Sequence, residues 1–457
     1  MARLDIEWSG SLDLTTLIPQ FGGALWTVIF FVVALSVIIA VHEYGHFIVG
    51  KKTGIFPEVF SLGFGPVLWS RVDRDGTKWQ LAAIPFGGYV KFRGDANASG
   101  GVDAEAIEGL DEAEMRSTMS GAPLWARAAT VAAGPVFNFV LSIAIFAGVL
   151  MFRGEVMEPL TVGELRPLPA QQELQPGDTI LAIAGAPLPD AADGTMSAYF
   201  DALPQEEQLE YTVRRDGREM IVSGPYTYPP LATQIAPRSA ASDAGLRAGD
   251  VITEVDGTPI YAFAELKERV EGSDGATLQL TVWRDGEFLD KEMTPRRVDE
   301  PQPDGGFQTF YRIGIVGGVA FEPATESAGF GSALTGGVAQ VGRIIEGSLS
   351  GLWHMATGAI STCNLSGPIG IAETSGDMAS QGTTNFIWFI AVLSTAVGLL
   401  NLFPVPVLDG GHLVFFAYEA VTGRPPSDRA LKVLMSIGLT LVLGLMVFAL
   451  SNDLFCP

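Results

Sequence analysis

Four stretches of the chain, residues 21–41, 128–152, 386–408 and 433–452, run without a charge. Each is long enough for a helix to cross about 30 Å of hydrocarbon at ~1.5 Å per residue. The third runs into NLFPVPVLDGG, whose prolines and glycines predict a helix that breaks at its deeper end and packs against protein. Between the second and third stretches the pattern changes from continuous to alternating. LQPGDTILAIAGAPL at 174–188 aligns with LRAGDVITEVDGTPI at 246–260, and downstream LEYTVRRDGREMIV aligns with LQLTVWRDGEFLDKEM. Each set reads as a Gly-Asp turn into an apolar strand, a glycine turn, an alternating strand, an Asp-Gly hairpin and another strand. The same ordered set occurring twice predicts two similar β-rich domains in tandem. The expected fold is a polytopic α-helical membrane protein with four transmembrane helices and two inserted β-rich domains.

Two further segments carry weaker patterns. FSLGFGPVLW and WQLAAIPFGGYVKF, within residues 51–125, are apolar and glycine-punctuated and suit short strands at a membrane face, whereas DAEAIEGLDEAE suits a solvated helix or loop. Residues 331–362 have apolar positions at helical spacing and few charges, which predicts an amphipathic helix on the membrane surface in preference to a fifth span.

Composition agrees with a membrane protein: 48% of the 457 residues are hydrophobic and mean hydropathy is +0.30. A cleaved signal peptide is disfavoured because the lead MARLDIEWSG is net acidic and no small-residue cleavage pattern ends the first apolar run. Orientation follows Lys and Arg near the spans, not the net charge of -23. Lys51, Lys52, Arg116 and Arg127 flank the first connection and Arg424, Arg429 and Lys432 the last, which places both in the cytoplasm. The N-terminus, the β-rich region and the C-terminus then lie outside. Residues 153–326 hold 14 basic and 30 acidic side chains, which argues against nucleic acid as a partner. Cys363 and Cys456 are the only cysteines; both fall on the oxidising side and are candidates for one disulfide.

The candidate chemistry sits at the end of the first apolar stretch, in HEYGH at 42–46. His42 and His46 share a helix face at i and i+4 and can direct two imidazole nitrogens at one ion, with Glu43 beside them to reach a bound water. That set suits zinc hydrolysis, in which the ion activates water and the carboxylate moves the proton. Five residues with three fixed recur by chance, but polar groups inside a membrane segment usually have a partner and a task. Zinc needs a third protein ligand, and Asp409 in VLDGG supplies the only carboxylate at comparable depth in the late apolar segments. Its bland reading is a capping aspartate at a turn, with Gly410 and Gly411 letting the backbone turn sharply. His412 suits a helix start, and His354, beside Trp353 and Met355, an interfacial position.

HEYGH, NLFPVPVLDGGH and AAGPVFNFVLS at 132–142, with GGYVKF at 87–92 and LSGPIGIA at 365–372, resemble the site-2 protease family of intramembrane zinc metalloproteases from residue 21 onward. The two β-rich copies resemble PDZ domains. PRSAASDAGLRAGD at 237–250 has the bacterial PDZ form and FYRIGIVG at 310–317 is its expected closing strand; the first copy, with PLPAQQELQPGD, departs from it. The expected organisation is a lead over 1–20, a first span with HExxH over 21–50, a cytoplasmic β region and acidic segment over 51–125, and a second span over 126–152. A degenerate PDZ domain over 155–230, a second over 231–320, the amphipathic helix over 331–362 and spans over 386–421 and 433–452 complete it.

The resemblance implies zinc held by His42, His46 and Asp409, with Glu43 as catalytic base and acid. It implies that Asn401 and Pro404 bind substrate, that Gly87, Gly88, Tyr89 and Val90 present it as an extended strand, and that Gly134 and Asn138 pack the second helix against the core. Implied partners are the lipid bilayer, peptide ends at the second PDZ domain and single-span membrane proteins already cut once outside, an anti-sigma factor first and remnant signal peptides second. The implied location is the bacterial inner membrane. A catalytically inactive PDZ scaffold is the alternative function, and a solute transporter a weaker one; complete ligand residues argue against the former and spans otherwise nearly free of charge against the latter.

Overall fold

The computed structural model describes residues 24–95, 107–189, 196–302 and 306–456. The expected N-terminal lead over 1–20 and the start of the acidic run, 103–106, lie outside them. Among the described residues four helices are long and apolar enough to cross a membrane. The chain divides into two compact units, one comprising residues up to Thr130 with Ile369–Ile390 and the other Val131–Pro368 with Ala391 onward.

In the first unit, helix α1 (Ala24–Thr53) continues well past the apolar stretch that predicted it and carries HEYGH within its regular turns. Lys51 and Lys52 lie in its last turn, where cations complement the helix dipole, and Gly54 at φ +92° ends it in the left-handed conformation. Two long bent strands follow, β1 (Pro57–Val72) and β2 (Lys78–Phe92). The first half of β1 is flanked on both sides by β2, since Phe60 lies opposite Trp79 and Val90, and Ser61 opposite Gln80 and Tyr89. Phe47 of α1 meets Phe60 and Trp79 at ring-centroid distances of 5.7 and 5.0 Å, which pins the sheet to the helix. The far half of the sheet exposes Val67, Leu68 and Trp69. Phe386 packs edge-on against Phe30 of α1, with ring centroids 5.1 Å apart.

In the second unit, helix α2 (Leu124–Arg153), whose N-terminal part to Thr130 belongs to the first unit, leads into the β-rich region. There the repeat appears as two four-stranded antiparallel sheets of the same order. One is built on β3 (Thr179–Ile183), β4 (Gln208–Arg215) and β5 (Arg218–Pro225), the other on β6 (Val251–Val255), β7 (Leu278–Arg284) and β8 (Glu287–Met293). Asp178 and Arg215 form a bidentate pair at 2.7 Å in the first, and Asp250 and Arg284 repeat it at 2.6 and 2.7 Å in the second. The second also carries helix α3 (Phe263–Gly272) and a one-turn helix, Ala240–Asp243, capped by Ser239. The corresponding 166–175 stretch of the first has no helix.

Two expectations about this region need correction. FYRIGIVG is not one strand: Phe307–Arg312 pairs with Arg296–Pro301, while Ile315–Val316 pairs with Gln234–Ile235. Gly314, at φ +84°, turns the backbone between them. Nor are the β units simply in tandem. Phe321–Pro323 returns to pair with Val162–Leu165, and Ala320 and Phe321, both fully buried, join the core of the first β unit around Tyr211 and Leu174. The second β unit is therefore inserted within the first.

Helix α4 (Phe330–Ala356) follows, with Ala333, Gly337 and Val341 buried and Leu334, Val338 and Trp353 exposed. A Cβ on Gly337 would lie 2.8 Å from the Ile143 carbonyl, so this glycine lets α4 approach α2 closely. α4 stops at Ala356, short of the expected 362, and Gly358 at φ +78° turns the chain away. Cys363 and Cys456 form a disulfide with Cα atoms 5.6 Å apart, joining the segment after α4 to the end of the chain. Helices α5 (Pro368–Ser380), α6 (Thr383–Asn401), α7 (Asp409–Thr422) and α8 (Asp428–Phe455) complete the fold. The expected third span is thus two helices separated by residues 402–408.

Candidate metal centre and active site

The helical pitch of α1 places His42 and His46 one turn apart, and their Nε2 atoms converge to 3.1 Å. Two uncharged imidazoles gain nothing from pointing ring nitrogens at each other unless a proton or an ion lies between them. His46 Nδ1–H donates to the Thr130 carbonyl at 2.8 Å, a bond that fixes the tautomer and makes Nε2 the nitrogen that carries the lone pair. Thr130 in turn donates its hydroxyl to Ala126 O at 2.8 Å within α2. Sequence reading missed Thr130, because nothing local to ATVAAGP marks it as the support of a histidine 84 residues away.

Glu43 lies on the side of α1 facing β2. A Cβ on Gly88 would sit 3.1 Å from Glu43 Cγ, 3.0 Å from Ile39 and 2.8 Å from the Ser61 carbonyl, so only glycine lets the strand approach the glutamate so closely. Gly87, at φ +132°, stands against Phe64, whose ring stacks on Tyr89 at 5.9 Å. Gln80 Nε2 donates to Tyr89 Oη and Ser61 Oγ at 3.1 and 3.2 Å, fixing the strand beside Val90. Gly87, Gly88, Tyr89 and Val90 are therefore a backbone surface laid along the helix that carries HEYGH.

In the second unit Asp409 is the first residue of α7, and Leu408 occupies the capping position, so the capping-aspartate reading does not hold. Gly410 and Gly411 are helical and do not make the turn, contrary to expectation. Their requirement is space: a Cβ on Gly410 would lie 2.3 Å from the Leu402 and Phe403 carbonyls, and one on Gly411 2.4 Å from Val405 O. The turn is taken instead by Val407 at φ +94°, a conformation rare for a β-branched residue and characteristic of functional loops. Pro404 and Pro406 lie in the same break. Asn401 ends α6 with its amide donating to Val397 O at 3.1 Å, which leaves its carbonyl oxygen to recognise a donor.

α6 is held against α2 by small polar residues. Ser142 donates to Ala391 O at 2.8 Å, Ser394 to Asn138 O at 2.9 Å, and a Cβ on Gly398 would stand 3.1 Å from Pro135 O. Asn138, expected in this packing, is fully buried. Of the other histidines, His354 hydrogen-bonds Ser350 O at 2.8 Å and lies against Phe307, and His412 packs edge-on to Phe415. Histidine nitrogens and a carboxylate oxygen are donor types that suit zinc.

The model of Peptidase family M50 matches residues 30–445. An Agrobacterium fabrum protein named "putative zinc metalloprotease" is 34% identical over 449 residues, 96% of this chain and 99% of its own. The regulator of sigma-E protease RseP of Salmonella typhimurium is 34% identical over 459 residues, 94% of this chain and 98% of its own. The regulator of sigma E protease of Salmonella typhi is 33% identical over the same shares. The chain belongs to peptidase family M50, the site-2 protease family, and is a zinc-dependent metalloprotease with several membrane-spanning helices.

Proposed function

We propose that this protease cuts single-span membrane proteins within their apolar segments, after another enzyme has shortened them outside. His42, His46 and Asp409 would hold one zinc ion, which when bound would supply a water of lowered pKa and polarisation of the scissile carbonyl. Glu43 takes the proton of the attacking water and returns it to the leaving amine. The observation that carries the reading is the convergence of His42 and His46 Nε2, with His46 fixed from behind by Thr130.

A membrane helix hides its carbonyls in internal hydrogen bonds, so a substrate must be unwound before attack. The backbone of Gly87 to Val90 receives it as an added strand beside Glu43, and Asn401 and Pro404 are the further residues proposed to bind it. Val67, Leu68 and Trp69, exposed on the same sheet, suit insertion into lipid. The substrate in this reading is an anti-sigma factor first, with remnant signal peptides as a further class; the similarity to proteins named regulators of sigma-E protease supports it. The β units are PDZ domains outside a bacterial inner membrane, with both termini on that side and the connections at 51–125 and 424–430 in the cytoplasm. Together they filter substrates by size. A cavity of about 310 Å³ in the second, between α3 and residues 312–317 and lined by Phe263, Leu266 and Ile315, receives peptide ends.

The test separates metal binding from proton transfer. Glu43→Gln should retain about one zinc per chain and lose at least ~100-fold in cleavage of a shortened single-span substrate, because the amide cannot accept the proton. Asp409→Ala should lose zinc. Near-normal turnover in Glu43→Gln, or full zinc content in Asp409→Ala, would remove that residue from its role.

A further inference from the structure

The second β unit is fastened to the end of the last membrane helix by contacts that the catalytic chemistry does not require. Arg238 Nη1 lies 3.2 Å from Asp453 Oδ1 and its Nη2 donates to Asp453 O at 3.3 Å. The Asp453 side chain is 1% exposed and also accepts the Gly367 N–H at 2.9 Å. Asn452 donates to Thr362 O at 2.7 Å, and the Cys363–Cys456 disulfide closes the same segment covalently. A second tie comes from Asp299, which accepts Ser361 N and Asn364 Nδ2 at 3.0 Å each. These contacts all meet in residues 361–367 and the last turn of α8.

Arg238 is also tied to the groove. Its neighbours Ala236 and Ala241 donate their N–H groups to Gly314 O and Ile313 O, both at 2.8 Å, and Ile313 and Gly314 line the cavity beside α3. The backbone at Arg238 is held by Arg296, which donates to the Arg238 carbonyl at 2.8 Å and pairs with Asp243 at 2.7 Å. Hydrogen bonds therefore run from the groove floor through the loop at 236–241 to a buried carboxylate on a membrane helix. A carboxylate this buried is costly to leave without its cation, so the pair has one strongly preferred arrangement.

The geometry points to Arg238 and Asp453 as positioning residues that hold the second β unit on the end of the last helix and so set which substrates are admitted, an inference that rests on the size-filter reading above. A β unit free to swing would let a bulky substrate past; a fastened one would admit only those whose outer part is short. The pair belongs to the second β unit and the end of α8 and is not among the residues proposed for zinc and proton transfer, so its loss should alter selection without altering the cutting of a substrate that already passes.

The experiment compares, in lipid, two probes sharing one apolar span, the first with a short unfolded outer tail and the second with a folded outer domain. Wild-type enzyme should cut the first and spare the second. Arg238→Ala and Asp453→Asn should each raise cleavage of the folded-domain probe roughly fivefold or more, the low end of coupling between two sites, with tail-probe cleavage unchanged. Arg238→Lys, which keeps the charge, should restore most of the discrimination. If the wild type discriminates and the variants do so equally, or if the variants lose tail-probe cleavage, the latch is overturned while the filter stands. If the wild type cuts both probes alike, the filter reading falls and the latch with it.

Discussion

The two β units are built on one plan and closed in two ways. Each buries an aspartate after a glycine turn, Asp178 or Asp250, against an arginine before an Asp-Gly hairpin, Arg215 or Arg284, and each aspartate also accepts a backbone N–H three residues earlier at 2.8 Å. The second closes on Gln234–Ile235 with residues from its own repeat, has a capped helical turn at 240–243 and opens a cavity beside α3. The first borrows its closing strand from beyond the second. A repeated sequence therefore transmits the frame of a domain, whereas its closure and its groove depend on what the frame meets.

The largest effect should come from breaking the borrowed closure. Phe321→Ala should cost about 3–5 kcal/mol, as removal of a fully buried phenylalanine does, and the loss should fall on the first β unit although the residue follows the second in sequence. Hydrogen exchange in detergent should show 162–225 opening while 246–293 keeps its protection; equal opening of both would contradict the nesting.

Removing one arginine sharpens the shared frame. Arg215→Ala or Arg284→Ala should cost about 3 kcal/mol, since each strands a carboxylate that the fold has buried, and each should loosen its own sheet more than the other. Burial by itself would raise the Asp178 pKa, but the bidentate Arg215 pair and the Gln175 N–H outweigh it and hold the carboxyl below its ordinary range. A depressed pKa means that the pair's stabilisation is complete above the unfolded value near 4 and is lost as pH falls through the folded value. Acid titration monitored at 208–225 should therefore show loosening below about pH 4 that is absent in Arg215→Ala. A transition that persists in the variant would assign it to another group.

The smallest effect concerns the groove. Lys267 lines it beside Arg312, whose guanidinium is already engaged by Glu271 and Glu300. Lys267→Glu should weaken binding of a peptide with a free carboxyl end by roughly two- to fivefold, the worth of one exposed charge contact, and should leave an amidated peptide unaffected. Equal loss for both peptides would mean that the groove does not read the carboxylate.

How much of this was legible beforehand follows the range of the interactions. The apolar runs, the i, i+4 placement of His42 and His46 and the paired Gly-Asp and Asp-Gly turns are local, because helix and hairpin geometry is set by residues a few positions apart. Sequence alone therefore determined the four long apolar helices, the repeated β frame and the placing of His42 and His46 on one helix face. It could not show that Thr130 orients His46, that Gly88 admits a strand beside Glu43, or that Gly410 and Gly411 make room for loop carbonyls instead of turning the chain. Nor could it place Phe321 in the first β unit or Arg238 on Asp453 across 215 residues. Those contacts join positions whose separation carries no periodic signal, and each is fixed only when packed elements bring a donor to an acceptor or leave a gap that no side chain can occupy.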